Sequence, residues 1–99
     1  VSHMTKMMAA DLAPRIRVNA ILPGAIETAA LERYLSTREA SIRQTMHAHT
    51  KMRRNGRPDD ISPAAVYFAS PASSWVTGKL LEVDGGAADE LIPKTIPDL

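Results

Sequence analysis

The feature that most constrains the fold is a short apolar run, residues 16–22, which a Pro-Gly pair follows at once. Its Ile, Val, Ile and Leu side chains are enough for a strand that is largely buried in a parallel sheet. Pro23 should end the pairing because proline has no N–H to donate, and Gly24 gives the backbone freedom to leave the sheet. Open α/β sheets bind ligands at the carboxyl ends of their strands, so the sequence predicts a site near residues 24–28.

Length and composition limit what the chain can do. Its 99 residues make one small domain at most. A hydrophobic content of 44% and a charged content of 23% are ordinary for a globular protein, and no apolar run approaches the ~20 residues of a membrane span. The net charge is +1 and the basic residues are mostly scattered, so we predict neither nucleic-acid nor membrane binding. Without cysteine or a signal-peptide pattern, we expect a cytoplasmic protein.

The chain opens with a helical pattern. Residues 1–12 carry apolar side chains at helical spacing, namely Val1, Met4, Met8 and Leu12. Pro14 should end this helix. The pattern is already present at Val1 with no capping residue before it, so we expect the chain to start inside a helix. The alternative is that Ser2, His3 and Met4 remain from the cleavage of a tag.

Two short helices are predicted over residues 29–50, which we call the lid. The first covers residues 29–35, and the Ser-Thr-Arg-Glu sequence at 36–39 has the form of a capping box that opens the second. Their position after the predicted strand suits a mobile cover over a site, although an ordinary helical hairpin fits equally well. His47 and His49 face different sides of a helix, so we predict no metal site.

The second half of the chain predicts a helix and another strand. Pro63 would remove a hydrogen bond from a helix begun at Pro58, so we expect regular helix only from Ser62 or Pro63. Residues 79–83 form the second predicted strand, and the Asp-Gly-Gly sequence at 84–86 closes it. Strand, helix and strand in this order predict a right-handed parallel crossover, and therefore the α/β class.

These motifs, taken in order, resemble the C-terminal part of short-chain dehydrogenases/reductases. Residues 1–6 resemble the helix after that family's catalytic Tyr-x-x-x-Lys, and the Ile-Arg-Val-Asn sequence at 16–19 resembles its sixth strand. The Ala-Ile-Glu-Thr sequence at 25–28 resembles the loop beneath the nicotinamide. Residues 54–58 and 75–86 resemble the entrance to the last helix and the last strand. The pattern is most similar to bacterial hydroxysteroid dehydrogenases and 3-oxoacyl-carrier-protein reductases.

The resemblance implies a fold, an activity and an organisation. The fold is the C-terminal portion of a Rossmann-type doubly wound parallel sheet, in the order helix, strand, lid helices, helix, strand. Residues 1–86 would be the C-terminal part of the enzyme domain and residues 87–99 a tail. The implied parent enzyme uses NAD or NADP to interconvert a small-molecule secondary alcohol and a ketone, and forms a homo-oligomer.

The resemblance also assigns coenzyme-binding residues. The backbone of Ile26 and the hydroxyl of Thr28 match positions that hold the carboxamide of nicotinamide, and Pro23 and Gly24 shape the approach. The alternative for Thr28 is an N-cap of the helix that starts at Ala29. Structural roles in hydrogen bonding, tight turns or packing are favoured for five other motif residues, Asn19, Trp75, Asp84, Gly85 and Gly86.

The reactive groups of the family are missing from this sequence. It lacks the glycine-rich dinucleotide fingerprint and the catalytic Ser, Tyr and Lys, and we expect the Tyr and Lys just upstream of Val1. Tyr34 and Arg38 have the right spacing but lie in the lid, and Tyr67 is followed four residues later by Pro71. We therefore predict no catalytic residue in this chain, and no activity from the chain alone.

A second interpretation is a non-enzymatic oligomerisation or interaction module. Two parallel strands alone would leave a strand edge unpaired, which should recruit a partner chain. Both interpretations predict self-association, to which the apolar tail residues Leu91, Ile92 and Ile96 would contribute.

Overall fold

The structure is a computed structural model that describes residues 1–37 and 40–87. Its elements are α1 (Ser2–Leu12), β1 (Ala20–Pro23), α2 (Ala29–Ser36), α3 (Ala40–Ala48), α4 (Pro58–Ala69) and β2 (Leu80–Val83), with a single 3-10 turn at Pro71–Ser73. This order confirms the predicted α/β class, the first helix and the two lid helices. The predicted capping box depends on residues 38 and 39, and the tail on residues 88–99, which lie outside the described residues.

The two strands lie side by side and parallel. Ala20 is opposite Leu80 at one end of the pair, and Pro23 is opposite Val83 at the other. Three helices connect β1 to β2 in the sequence. Because the two strands are parallel, their carboxyl ends lie at the same edge of the pair, as the sequence predicts.

The boundaries of β1 differ from the prediction of residues 16–22. Pairing starts only at Ala20, because the partner segment turns at Gly78, where φ is 70°. Before that point Val18 is bound to the turn, with its N–H donating to Thr77 Oγ1 at 3.0 Å. The strand does end at Pro23, as predicted, and one more backbone hydrogen bond follows it, in which the N–H of Gly24 donates to Val83 O at 2.9 Å.

Helix α4 also corrects a prediction. It begins at Pro58 rather than at Ser62 or Pro63, and Pro63 lies inside it. A proline in the second turn removes one i→i−4 bond, the one to Asp59 O, and the rest of the helix remains. The beginning of the helix is fixed by Asp60, whose Oδ2 accepts the N–H of Arg57 at 2.8 Å.

Few side chains are fully buried among the described residues. Helix α1 buries Thr5 and Ala9, while the residues of its predicted apolar pattern, Val1, Met4, Met8 and Leu12, are exposed. The helix therefore packs on the rest of the chain through its small residues. Trp75 is 100% exposed, so the prediction that it anchors packing is wrong within this chain.

A polar cluster holds the amino-terminal end of the strand pair. The Arg17 guanidinium donates to Ser73 Oγ at 2.8 Å and to Phe68 O, near the end of α4, at 2.9 Å. Ser73 is completely buried. Asn19 donates from Nδ2 to Val76 O and accepts the N–H of Lys79, both at 3.0 Å. The predicted structural role of Asn19 is confirmed.

Candidate functional site

The strand-end loop, residues 24–28, leaves β1 beside the end of β2. A Cβ on Gly24 would stand 2.8 Å from the Cβ of Asp84, so only glycine allows the two strand ends to approach this closely. The φ of Gly24 is not positive, in contrast to those of Gly78, Gly85 and Gly86. Close packing, and not the freedom that the sequence suggested, is therefore the reason for glycine here.

Ile26 forms an isolated parallel bridge with Gly56, at the turn before α4. The two bonds of this bridge use the neighbours of Ile26: Gly56 N–H donates to Ala25 O at 2.9 Å, and Glu27 N–H donates to Gly56 O at 2.8 Å. In a parallel pair this pattern turns the N–H and C=O of Ile26 away from Gly56. Neither group makes a hydrogen bond within the part of the chain that the structure describes. Ile26 thus offers one donor and one acceptor side by side.

Thr28 caps helix α2. Its Oγ1 accepts the N–H of Leu31 at 3.3 Å, which confirms the N-cap alternative. A hydroxyl that accepts one hydrogen bond still has a proton to donate. Because Thr28 is exposed, capping leaves this proton accessible to a ligand.

A cavity of about 200 Å³ lies between the strand-end loop, the carboxyl end of β2 and the turn that precedes α4. At its rim, Arg54 donates two hydrogen bonds to the Asp60 carboxylate, at 2.9 and 3.2 Å. The hydrogen bond from Arg54, aided by the N–H of Arg57, lowers the pKa of Asp60 from 3.8 to about 2. This pair fixes the turn against which Ile26 lies.

Glu27 connects the strand-end loop to the lid. Its Oε1 accepts a hydrogen bond of 2.6 Å from Arg43 on α3, and lies 3.5 Å from Nδ2 of the buried Asn55. Arg43 also lies 3.9 Å from Glu32 on α2. The sequence carries no signal for this group, because partners that are 16 residues apart on different elements leave no periodic pattern.

The turn after β2 has the predicted structural role. Asp84 Oδ1 accepts the N–H of Gly86 at 2.9 Å, and Gly85 and Gly86 have φ values of 65° and 72°. The carbonyl of Gly85 in turn accepts the N–H of Met52 at 3.0 Å, which attaches the segment just after the lid to the turn after β2.

The structure places the predicted coenzyme-binding residues between the end of β1 at Pro23 and the start of α2 after Thr28, and of the four only Ile26 lines the cavity. Among the described residues, no group of three potential ligands could hold a metal ion. No helix in the described ranges has the length and apolar character needed to cross a membrane. Neither Tyr34 nor Tyr67 lines the cavity.

A family model described as enoyl-(acyl carrier protein) reductase matches residues 1–88. The chain belongs to the short-chain dehydrogenase/reductase family. An uncharacterized oxidoreductase of Mycobacterium tuberculosis is 52% identical over 99 residues, which are 100% of this chain and 37% of the relative. The 7alpha-hydroxysteroid dehydrogenase of Escherichia coli K12 is 48% identical over 91 residues, 91% of this chain and 34% of the enzyme.

Solved structures agree with this assignment. A 7 alpha-hydroxysteroid dehydrogenase complexed with NADH and 7-oxo glycochenodeoxycholic acid has a TM-score of 0.77 and 49% identity, covering 92% of this chain and 35% of that one. A hydroxysteroid dehydrogenase from Escherichia coli has a TM-score of 0.79 and 48% identity, covering 88% and 36%. The chain thus spans about a third of the length of these relatives, and matches the C-terminal part of their Rossmann fold.

Proposed function

We propose that residues 1–99 form the nicotinamide floor and substrate lid of an NAD(P)-dependent oxidoreductase that interconverts a secondary alcohol and a ketone. The main support is the unpaired N–H and C=O of Ile26, two residues before the Thr28 hydroxyl. A carboxamide has one acceptor and one donor group, which this donor and acceptor match. Pro23 and Gly24 shape the approach to this loop. The donor set therefore fits a nicotinamide coenzyme, either NAD or NADP.

The chain's own residues bind and orient, in this proposal, and do not transfer protons. A bound coenzyme supplies the exchange of hydride with the substrate carbon. The lid, residues 29–50, covers a small-molecule substrate and excludes water. It belongs to a portion of the enzyme domain at residues 1–86, and residues 87–99 form a tail. A Tyr–Lys pair outside residues 1–99 would complete the site, since Tyr34 and Tyr67 are followed four residues later by Arg38 and Pro71.

Coenzyme titration of the complete gene product that contains these residues tests the proposal. Thr28→Val removes the hydroxyl and should weaken NADH or NADPH binding by ~1 kcal/mol, about fivefold in Kd. Thr28→Ser keeps the hydroxyl and should bind as the wild type does. Thr37→Val, which removes a hydroxyl at the other end of α2, is the matched control and should leave Kd unchanged. Failure of the wild type to bind either coenzyme would overturn the proposal.

Residues 1–99 alone should show no turnover. Hydride transfer needs a fixed coenzyme and a positioned proton donor, and this segment supplies at best the carboxamide contacts. An assay of the 99-residue chain, with its mass verified, should detect no oxidation or reduction of a nicotinamide coenzyme with hydroxysteroid or 3-oxoacyl substrates. Robust turnover would contradict the assignment of the reactive groups to residues outside this segment.

The second candidate function is a non-enzymatic oligomerisation module. It is favoured by one observation, the exposed apolar residues of α1 and its N-cap, among them Met4 at 58% and Val1 at 77% exposure. The enzyme proposal also includes a homo-oligomer, so self-association alone does not separate the two functions. Sedimentation of the 99-residue chain should show self-association at micromolar concentration. A compact monomer would argue against the oligomerisation module and against a homo-oligomer contact made by residues 1–99.

A further inference from the structure

Three segments of the chain meet at Glu27. Its carboxylate accepts the 2.6 Å bond from Arg43 of α3, and its backbone N–H donates to Gly56 O at 2.8 Å. It stands between Ile26 and Thr28, the two residues to which we assign the carboxamide contacts. A displacement of the lid helix that moves Glu27 would therefore also move the strand-end loop.

The Glu27–Arg43 pair is suited to couple the lid helix to the strand-end loop. The side chains are 23% and 37% exposed, so water screens this pair less than a fully exposed one. A charge-assisted hydrogen bond of this length is among the stronger polar contacts in proteins. Beneath it, Asn55 is only 4% exposed and its Nδ2 lies 3.5 Å from Glu27 Oε1, which helps to fix the carboxylate.

Helix α3 depends on this contact more than a core helix would. Within residues 42–48 no side chain is fully buried, and Ile42 and Met46 are only half-buried. Apolar burial scales with the area removed from water, so packing holds α3 weakly. The Glu27–Arg43 ion pair is then a contact that directly joins the lid helix to the loop. Glu32, which is 3.9 Å from Arg43 and 59% exposed, adds little.

We propose that the Glu27–Arg43 pair is a latch that couples lid helix α3 to the coenzyme-binding loop, and that Glu27 is a positioning residue. With the pair formed, α3 is held in place and the backbone of Ile26 and the hydroxyl of Thr28 are fixed for binding. Loss of the pair frees the lid and the loop together, which raises Kd for the coenzyme and KM for the substrate more than it lowers kcat. This inference rests on the proposed function, because it assigns the loop to coenzyme binding.

The test uses the complete gene product and two measurements, hydrogen exchange of the α3 amides without coenzyme and titration with NADH and NADPH. E27Q and R43Q remove one charge each, and either should speed exchange in α3 and raise Kd by about fivefold, or ~1 kcal/mol. The double variant E27Q/R43Q should show no larger change than either single variant, because both substitutions remove the same pair. E32Q, the matched control, should change neither.

The outcomes distinguish this inference from the proposed function. Wild-type protein that binds neither coenzyme overturns the proposed function, and the coupling with it. Wild-type binding with unchanged Kd in E27Q and R43Q overturns the latch and leaves the proposed function intact. Losses that add up in E27Q/R43Q also overturn the latch, because the two side chains then act independently.

Discussion

The two ends of the strand pair are built differently. At the amino-terminal end, the polar groups of Arg17, Asn19 and Ser73 are bonded to partners within the chain. At the carboxyl-terminal end, Ile26 leaves its N–H and C=O unpaired within the described residues, and a cavity lies alongside. One pair of strands therefore has an end whose polar groups are bonded within the chain and an end with unused hydrogen-bonding capacity, to which the proposed function assigns the coenzyme contacts.

The largest effect should come from disrupting the amino-terminal end. Arg17 donates to Ser73 Oγ and to the carbonyls of Phe68, Ser70 and Val76. Arg17→Met keeps the approximate length of the side chain but removes all four hydrogen bonds from its charged donor, so unfolding by urea should show a loss of about 3 kcal/mol, although Ser73 and Asn19 still donate to the three carbonyls. Arg15→Met is the control, since the Arg15 side chain is exposed and makes no hydrogen bond in the described part of the chain. Equal losses in the two variants would refute the view that this end carries stability.

The next effect tests how closely the strand ends approach each other. In Gly24→Ala the new Cβ meets Asp84 Cβ and Cα at 2.8 and 2.9 Å, so the two strand ends must separate, at a cost of about 2 kcal/mol. In Gly56→Ala the new Cβ meets the end of a flexible side chain, Ile26 Cδ1, at 2.7 Å. That side chain can move, so Gly56→Ala should cost less stability but should disturb coenzyme binding. Thermal unfolding with NADH titration measures both, and a greater loss of stability in Gly56→Ala would reverse the expectation.

The sequence predicted those features of the fold that depend on local residue patterns. The apolar run and its Pro-Gly stop located β1 to within a few residues, and the motif order indicated the α/β class and the strand-end loop. The exposed face of α1 was not predicted, because helical spacing identifies an apolar face but not which face the rest of the chain covers. In α1 the small residues Thr5 and Ala9 are the buried ones.

Long-range polar contacts were not predictable from the sequence. Arg17 and Ser73 are 56 residues apart, and Glu27 and Arg43 are on different elements, so no spacing rule connects them. The predicted start of α4 at Ser62 or Pro63 was wrong for a different reason. The sequence shows that a proline removes one hydrogen bond, but not that α4 begins at Pro58 and continues through Pro63 with its other bonds kept.

A smaller effect separates capping from binding at Thr28. Thr28→Asp keeps an oxygen that can cap α2 and adds a negative charge at the positive end of the helix dipole, so stability should stay within about 0.5 kcal/mol of wild type. The variant loses the hydroxyl proton, and NADH binding should weaken by about fivefold. Thr28→Ser keeps both functions and serves as the control. A loss of stability with unchanged NADH binding would mean that Thr28 caps α2 and does not contact the coenzyme.

The smallest effect concerns the pH dependence of stability at the carboxyl-terminal end. The pKa of Asp60 is lowered to about 2 by the hydrogen bond from Arg54, so the folded state holds this carboxylate charged more readily than the unfolded chain does. The stabilisation is therefore present above about pH 4 and is lost as the pH falls towards 2. Wild type should be slightly more stable than Asp60→Asn near neutral pH, and the difference should shrink in acid and in high salt because the pair is exposed. Urea midpoints at several pH values, with Asp59→Asn as the control for charge in the same helical turn, measure this difference. A difference that stays constant into acid would mean that the Arg54–Asp60 pair does not stabilise the turn before α4.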